Sequence, residues 1–186
     1  ELYFLGLNCN HALLQNQSFV GMATEVALAE GAWKAGVRER MTTVDEIPFS
    51  SKRKRMTTVH QIGGRYLAIT KGAPEVLLPL TAKMEEGRRE IPFTGQAKEE
   101  AMKTVEEMAK RALRVIALCK KEFDHQPTSQ ELERELVLVG FVGMMDPPRP
   151  EARSAVLQCR KAGIRPVMIT GDNAQTAVAI AREVGI

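Results

Sequence analysis

The alternation of apolar and polar positions predicts a β-hairpin near the middle of the chain. In the segment MTTVHQIGGRYLAIT, residues 56–70, two runs rich in β-branched and aromatic residues flank Gly63-Gly64. A Gly-Gly pair accepts the positive φ angles of a tight turn, so the two runs are expected to pair as antiparallel strands. Two further apolar runs, LRVIALC (113–119) and LVLVGFVGMM (136–145), predict additional buried strands.

Apolar residues that recur every three or four positions predict helices around these strands. The segment TEVALAEGAWKA, residues 24–35, is interpreted as a helix with Thr24 as N-cap and Gly36 as its C-terminal stop. Glu25 would then lie in the first turn, at the positive end of the helix dipole. Residues 97–112 show the periodicity of an amphipathic helix about four turns long.

The pattern changes near the end of the last predicted strand. A helix is predicted over 150–163, a strand over IRPVMIT (164–170) and a second helix over 174–185, an order typical of a piece of a parallel sheet. We therefore expect an α+β fold in which an antiparallel sheet with flanking helices, residues 1–145, precedes a partial Rossmann-like, haloacid-dehalogenase-like α/β segment, residues 146–186.

Composition narrows the class of protein. The 186 residues contain no uninterrupted apolar stretch of the roughly 18 residues that a membrane span needs, and ELYFLGL at the start is too short for a signal-peptide core. Cys9, Cys119 and Cys159 are widely spaced, which argues against a disulfide framework or a zinc site, and the three histidines are scattered. We expect a soluble, cytoplasmic segment without a metal site.

The charge of the chain is nearly balanced, with 26 Lys and Arg against 23 Asp and Glu. A nucleic-acid-binding protein would need its positive charge concentrated on one surface, and only KRKR, residues 52–55, is concentrated in this way. The run has few aromatic neighbours and no recognisable reading helix. A nucleic-acid-binding module is therefore kept as an alternative hypothesis.

Two residues near the hairpin have the chemistry of a nucleotide pocket. Lys71 ends the second hairpin strand and is followed by Gly72, which would let a ligand approach the backbone closely. Phe49 stands beside the serine-rich basic run, where an aromatic face next to cations suits a purine base and its phosphates. Taken singly, a lysine before a helix is more often solvated and a lone phenylalanine more often part of the core.

Three other positions could contact phosphate or form a joint. Arg114 interrupts an apolar strand at its beginning, so it lies at the rim of the sheet, is paired, or meets a phosphate. TGD, residues 170–172, stands between a predicted strand and helix, where phosphates bind or where a turn is simply capped. DPPR, residues 146–149, is either an interdomain hinge or an exposed turn.

Taken together and in order, six segments resemble the cytosolic nucleotide-binding region of the P-type cation-transporting ATPases. The Ala-Thr-Glu and Phe-Ser forms are most similar to those of calcium pumps of the sarcoplasmic-reticulum and secretory-pathway kinds. The matching segments are GMATEVAL (21–28), PFSSKRKRM (48–56), KGAPE (71–75), LRVIAL (113–118), DPPRPE (146–151) and ITGDN (169–173).

The resemblance implies that this chain binds the nucleotide and that other domains of a pump carry out the remaining steps. Residues 1–145 would be a nucleotide-binding domain that holds ATP with Mg²⁺, and residues 146–186 would be a hinge and part of a phosphorylation domain. The γ-phosphate would pass to an aspartate of the phosphorylation domain, and cation transport would be coupled to that step. The implied partners are ATP and the remaining phosphorylation, actuator and transmembrane domains, and not nucleic acid.

The resemblance also implies a role for each matching residue. Phe49 would stack on the adenine, Glu25 would accept a hydrogen bond from its amino group, and Lys71 with Gly72 would line the pocket. The other implied residues are Lys54 near the nucleotide, Arg114 at the phosphates, Asp146 and Arg149 at the hinge, and Thr170, Gly171 and Asp172 near the transferred phosphoryl group.

The sequence departs from the family pattern in two ways. Ser51 stands where the sarcoplasmic pumps carry arginine, so no phosphate contact is implied there. Neither Asp-Lys-Thr-Gly-Thr, which carries the phosphorylated aspartate, nor Gly-Asp-Gly-x-Asn-Asp occurs in the 186 residues, and we expect this chain to bind ATP without turning it over. A stand-alone haloacid-dehalogenase-like phosphatase, suggested by residues 146–186, would need an Asp-x-Asp-like start that is not found.

Overall fold

The structure is a computed structural model that describes residues 1–87, 89–145, 148–170 and 174–186, with the backbone alone at 174–176. Within these ranges no helix is both long and apolar enough to cross a membrane. The helices are α1 (Leu2–Asn8), α2 (Ala23–Lys34), α3 (Pro74–Leu77), α4 (Gly95–Lys110), α5 (Ser129–Leu132), α6 (Ala152–Lys161) and α7 (Ala174–Val184). The strands are β1 (Leu13–Gln15), β2 (Ser18–Val20), β3 (Thr43–Ser50), β4 (Arg55–Ile62), β5 (Arg65–Gly72), β6 (Thr81–Glu86), β7 (Arg89–Pro92), β8 (Arg114–Phe123) and β9 (Leu136–Met144).

Seven of the strands form one sheet in the order β3-β4-β5-β8-β9-β6-β7, and β1 and β2 form a separate hairpin. The pairs β3 with β4, β4 with β5, β5 with β8 and β6 with β7 are antiparallel, whereas β6 and β9 run parallel. The predicted α+β class, a multistranded sheet with flanking helices, is confirmed.

The central hairpin forms as the sequence predicts. Gly63 and Gly64 take φ angles of 56° and 87°, which residues with a Cβ adopt only at a cost in free energy. The strands that they join pair without a break from Ile62 opposite Arg65 to Arg55 opposite Gly72. This unbroken register fixes which residues of β4 and β5 share a face of the sheet.

A helix that sequence analysis did not assign covers one face of this sheet. α1 is formed by the apolar segment at the start of the chain and contributes Leu5 to a buried cluster with Met56, Ile69 and Leu118. A second cluster contains Leu77, Leu78, Phe93, Ala117, Cys119, Leu136 and Leu138. The segment was missed because its seven residues are too few to show helical periodicity, and packing against the sheet stabilises it.

The first turn of α2 differs from the prediction. The N-cap is Met22, in an extended conformation with φ −66° and ψ 140°, and no side chain caps the helix, so the assignment of Thr24 as N-cap is wrong by two residues. The helix begins earlier because the backbone N–H groups of Glu25 and Val26 donate to the carbonyl of Met22, at 2.8 and 2.9 Å. The end is as expected, with Gly36 in the left-handed region at φ 81°.

The chain divides into two compact units. The first comprises Glu1–Met102 and Ile116–Val142, and the second comprises Lys103–Val115 and Gly143–Ile186. The first unit contains α1, α2 and most of the sheet. The second contains α6 and α7, the two helices expected near the end of the chain, so these two predictions are confirmed.

The strand expected over residues 164–170 is not formed, and that prediction is wrong. Among the described residues the two sheets consist of β1 to β9 only, and this segment is irregular. An isolated extended segment gains no inter-strand hydrogen bonds, so β-branched residues alone do not make it a strand. Val167 and Ile169 are accordingly exposed.

Candidate functional site

Two residues singled out by the sequence, Glu25 and Lys71, form a buried ion pair. The Lys71 Nζ donates to the Glu25 Oε1 at 2.9 Å, and the two side chains are only 7% and 9% exposed. Glu25 comes from the first turn of α2, whereas Lys71 comes from the end of β5. Each charge compensates the other in a place where either alone would be costly to bury.

Asn10 fixes the start of α2 at this pair. Its Nδ2 donates to the carbonyl oxygens of Glu25, at 2.8 Å, and of Gly6, at 3.1 Å, so one amide joins α1 to α2. Burial acts to raise the pKa of the Glu25 carboxyl, but the hydrogen bond and charge of Lys71, with the backbone N–H and charge of His11, bring the pKa below its ordinary value. Glu25 is therefore a carboxylate at neutral pH.

Phe49 lies near this pair because of an irregularity in β3. Ile47 is opposite Thr57 and Ser50 is opposite Arg55, so β3 advances three residues where β4 advances two. Such a β-bulge places Pro48 and Phe49 together opposite the single residue between these partners. The Phe49 side chain is 53% exposed, which leaves an aromatic face accessible.

The pairing of the strands shows where Phe49 lies relative to the buried ion pair. Met56, the residue facing the bulge, is itself opposite Lys71 in the next strand. Neighbouring strands lie about 4.8 Å apart, so the backbones at Phe49 and Lys71 are separated by about 10 Å. An aromatic ring, a cation and a carboxylate thus occupy one end of the β3-β4-β5 sheet.

Lys54 and Gly72 meet at the same end of the sheet. Lys54 has a positive φ of 52°, and its carbonyl oxygen accepts a hydrogen bond of 3.0 Å from the N–H of Ala73. A Cβ added to Gly72 would lie 2.7 Å from that carbonyl oxygen and 2.6 Å from the Cβ of Arg55. The neighbouring strand therefore requires glycine at this position. The Lys54 amine pairs with Glu75 at 3.1 Å on the surface.

We expect Gly72→Ala to destabilise the chain by about 1–3 kcal/mol, the usual cost of forcing an extra methyl group into a packed site. The atoms it would meet belong to backbone and to a Cβ, which cannot move aside as a flexible side chain would. Urea denaturation would measure the change. Gly95→Ala is the matched control, because nothing lies within 4 Å of its added Cβ, and it should change stability by less than about 0.5 kcal/mol.

The other predicted residues do not lie in the first unit. Arg114 begins β8 and, like Arg149 and Thr170, belongs to the second unit, where all three are exposed. Arg149 accepts a hydrogen bond from the backbone of Ala152 through its carbonyl oxygen, at 2.9 Å. Asp146, Gly171 and Asp172 lie outside the described residues.

Sequence analysis missed Glu133, which organises the basic run. Its carboxylate accepts hydrogen bonds from Arg53 at 2.7 and 2.8 Å and from Arg55 at 2.6 Å. Burial acts to raise the pKa of Glu133, but these two arginines, with a hydrogen bond from Thr57, hold the pKa below its ordinary value. Two arginines of KRKR are thus engaged by one carboxylate within the chain. The sequence signal was weak, because Glu133 lies in a polar stretch about 80 residues away.

A family model described as "P-type ATPase, cytoplasmic domain N" matches residues 1–151. The match covers most of the chain, including the hairpin, the buried ion pair and Phe49. The chain belongs to the P-type ATPases. The resemblance seen in the ordered motifs is thereby confirmed, and of the three hypotheses from the sequence, the match favours the pump domain.

Individual P-type ATPases are similar over almost the whole chain. A "Calcium-transporting ATPase 1" of Bacillus cereus is 39% identical over 188 residues, which cover 96% of this chain and 21% of the relative. A "Calcium-transporting ATPase" of Bacillus subtilis is 35% identical and covers 98% and 22%. A "Calcium-transporting ATPase 1" of Yarrowia lipolytica is 34% identical and covers 98% and 20%. The chain spans about a fifth of the length of these relatives.

Proposed function

We propose that the chain binds ATP, with the adenine held at the end of the β3-β4-β5 sheet. Phe49 stacks on the base, Glu25 accepts a hydrogen bond from its amino group, and Lys71 and Gly72 line the pocket. The residues present fit an adenine, which offers a flat π-face to an aromatic ring and N–H donors to a carboxylate. Lys54 lies at the same end of the sheet, where its amine can contact the phosphates.

The observation that carries this proposal is the exposed ring of Phe49 at the same end of the sheet as a buried pair of opposite charges. A phenylalanine with 53% of its surface in water contributes little to the core, and the bulge holds it at the edge of the sheet. Base stacking would remove this apolar ring from water. The Lys71–Glu25 pair supplies a donor and an acceptor at the same end of the sheet.

Phe49→Ala tests the proposal. Loss of base–aromatic stacking costs about 1–3 kcal/mol, so the dissociation constant for ATP should rise by roughly 5- to 150-fold. Isothermal titration calorimetry of the 186-residue chain with ATP would measure it. The fold should be unaffected, because the substituted side chain is exposed.

Val44→Ala is the matched control for that experiment. Val44 lies in the same strand, is 43% exposed and sits at the other register shift of β3, five residues from Phe49, so its truncation should leave ATP affinity unchanged within about twofold. Equal affinities of the wild type and Phe49→Ala for ATP would refute the assignment of the pocket.

For the whole protein we propose a membrane-bound, calcium-transporting P-type ATPase. The names of the relatives and their roughly five-fold greater length support this. Residues 1–145 act as the nucleotide-binding domain and residues 146–186 as hinge and partial phosphorylation domain, with Asp146 and Arg149 at the hinge. ATP, bound with Mg²⁺, is positioned so that its γ-phosphoryl group can pass to an aspartate in a phosphorylation domain, leaving ADP. Actuator and transmembrane domains are the other partners.

The proposal also assigns residues to the phosphates of ATP. Arg114 contacts them, and Thr170, Gly171 and Asp172 approach the phosphoryl group in transfer. The proposal also holds that these 186 residues bind ATP without hydrolysing it, because the segment that carries the phosphorylated aspartate in the family is not among them. Release of inorganic phosphate from ATP by the purified chain would contradict this last statement.

A further inference from the structure

The carboxylate of Glu133 is the centre of a hydrogen-bond network whose residues are not among those proposed to contact ATP. Its side chain is 10% exposed and accepts from Arg53, from Arg55 and, at 3.0 Å, from the hydroxyl of Thr57. The Thr57 hydroxyl lies a further 3.0 Å from that of Thr70 in β5. Three donor residues, one in the loop between β3 and β4 and two in β4, thus share a single acidic residue.

The position of Glu133 is set by packing. It follows α5, whose N-terminus is closed by a capping box between Thr128 and Glu131. Leu132 and Leu136, on either side of it, are completely buried. Because Leu132 and Leu136 are anchored in the core, the backbone that carries Glu133 is fixed, and its carboxylate contacts Arg53 in the loop between β3 and β4.

Arg53 extends the network to the residue before Phe49. One end of its guanidinium, Nη1, holds both oxygens of Glu133, and the other nitrogen, Nη2, donates to the carbonyl oxygen of Pro48 at 2.8 Å. Nη2 also reaches the carbonyl oxygen of Arg55 at 3.2 Å. The planar fork of an arginine can bridge two acceptors in this way with a fixed geometry, which a lysine cannot do.

We propose that Glu133 is a positioning residue for the adenine pocket. Glu133 orients the guanidinium of Arg53, and Arg53 in turn donates a hydrogen bond to the carbonyl oxygen of Pro48. These bonds fix the bulge, which presents the ring of Phe49 in the orientation that stacks on the base. This inference rests on the proposed function. It adds that the stacking surface is set in place by a carboxylate about 80 residues away in the sequence.

Arg55 provides a control that distinguishes positioning of the Phe49 ring from a general effect on the stability of the fold. Arg55 binds the same carboxylate through Nε, but its remaining described bond, Nη1 to the carbonyl of Arg53 at 3.4 Å, does not reach the bulge. Substituting Arg55 therefore perturbs the charge network and spares the link to Pro48. Substituting Arg53 breaks that link.

The experiment compares ATP affinities by calorimetry, below the unfolding transition of each variant. Glu133→Gln and Arg53→Lys should each raise the dissociation constant about 5- to 10-fold, a part of the full loss of stacking, and Arg55→Lys should raise it less than about twofold. Arg53 is partly exposed, so Arg53→Lys keeps the test informative if Glu133→Gln fails to fold.

The decisive readout is the same substitution in a Phe49→Ala background. If Arg53 acts through the ring, Arg53→Lys should cause no further loss of affinity once the ring is gone, whereas an independent contact with the phosphates would give additive losses. Additive losses overturn the inference, as do unchanged affinities of both single variants. If Phe49→Ala itself binds ATP as the wild type does, the proposed function fails, which is a distinguishable result.

Discussion

Glu25→Ala should lower the free energy of unfolding by about 3–5 kcal/mol, because it leaves a buried cation without its partner. The Lys71 side chain is 7% exposed, and its amine lies 2.9 Å from the Glu25 carboxylate. Without that carboxylate the chain must bury an uncompensated ammonium, deprotonate it, or open the start of α2 to water. Urea denaturation at neutral pH, followed by circular dichroism, would measure the loss.

Glu30→Ala is the control, because Glu30 belongs to the same helix and is exposed. It should change stability by less than about 0.5 kcal/mol. Equal effects of the two substitutions would mean that the Lys71–Glu25 pair contributes nothing beyond helix propensity. A Glu25→Leu and Lys71→Met double variant should recover part of the loss, since it removes both buried charges.

The contribution of Glu25 should also depend on pH. Its pKa is lower in the folded chain than the ordinary value near 4.3, so the carboxylate stabilises the fold at pH values above about 4.3. As the pH falls through the lower pKa of the folded state, protonation removes this stabilisation. The difference in stability between wild type and Glu25→Ala should therefore narrow below about pH 4.3.

Leu118→Ala is expected to destabilise the chain by about 2–5 kcal/mol, the range for truncating a fully buried leucine. Leu118 is 0% exposed and packs with Leu5, Met56 and Ile69 beneath α1. It is also the residue of β8 opposite Lys71, so the cavity would open directly beside the proposed pocket. Chemical denaturation would measure the loss of stability.

Leu13→Ala supplies the comparison for this truncation. Leu13 lies in the β1-β2 hairpin and is 61% exposed, so the same chemical change should cost less than about 0.5 kcal/mol. A cost below about 1 kcal/mol for Leu118→Ala would contradict this expectation and show that the sheet repacks around the cavity.

The elements that could be predicted are those with a strong local signal. Gly63-Gly64 marks a hairpin, since only a few residues tolerate its φ angles, and 97–112 shows helical periodicity over four turns. The prediction for 164–170 was wrong because strand formation depends on a neighbour that a local pattern does not contain. Thr24 illustrates a smaller error, in which backbone contacts at Met22 override a favourable capping residue.

The residues of the candidate site could be chosen from the sequence, but their contacts with one another could not be predicted from it. Glu25 and Lys71 were expected to meet a ligand independently, and the structure pairs them with each other. Gly72 was expected to make room for a ligand, and the structure shows the backbone of Lys54 against the position of its missing Cβ. Glu133 was not considered, because an acidic residue in a polar stretch carries no signal of its own.

The sequence by itself determined the family, through the order of its motifs, and most of the helices and strands, since both depend on residues close together in the chain. Only the tertiary structure decided that Glu25 bonds Lys71, 46 residues away, and that Glu133 bonds Arg53, 80 residues away. Such contacts depend on how the elements pack against one another. The free energy of burying a charge can be offset by a partner from any part of the chain, so local patterns do not identify that partner.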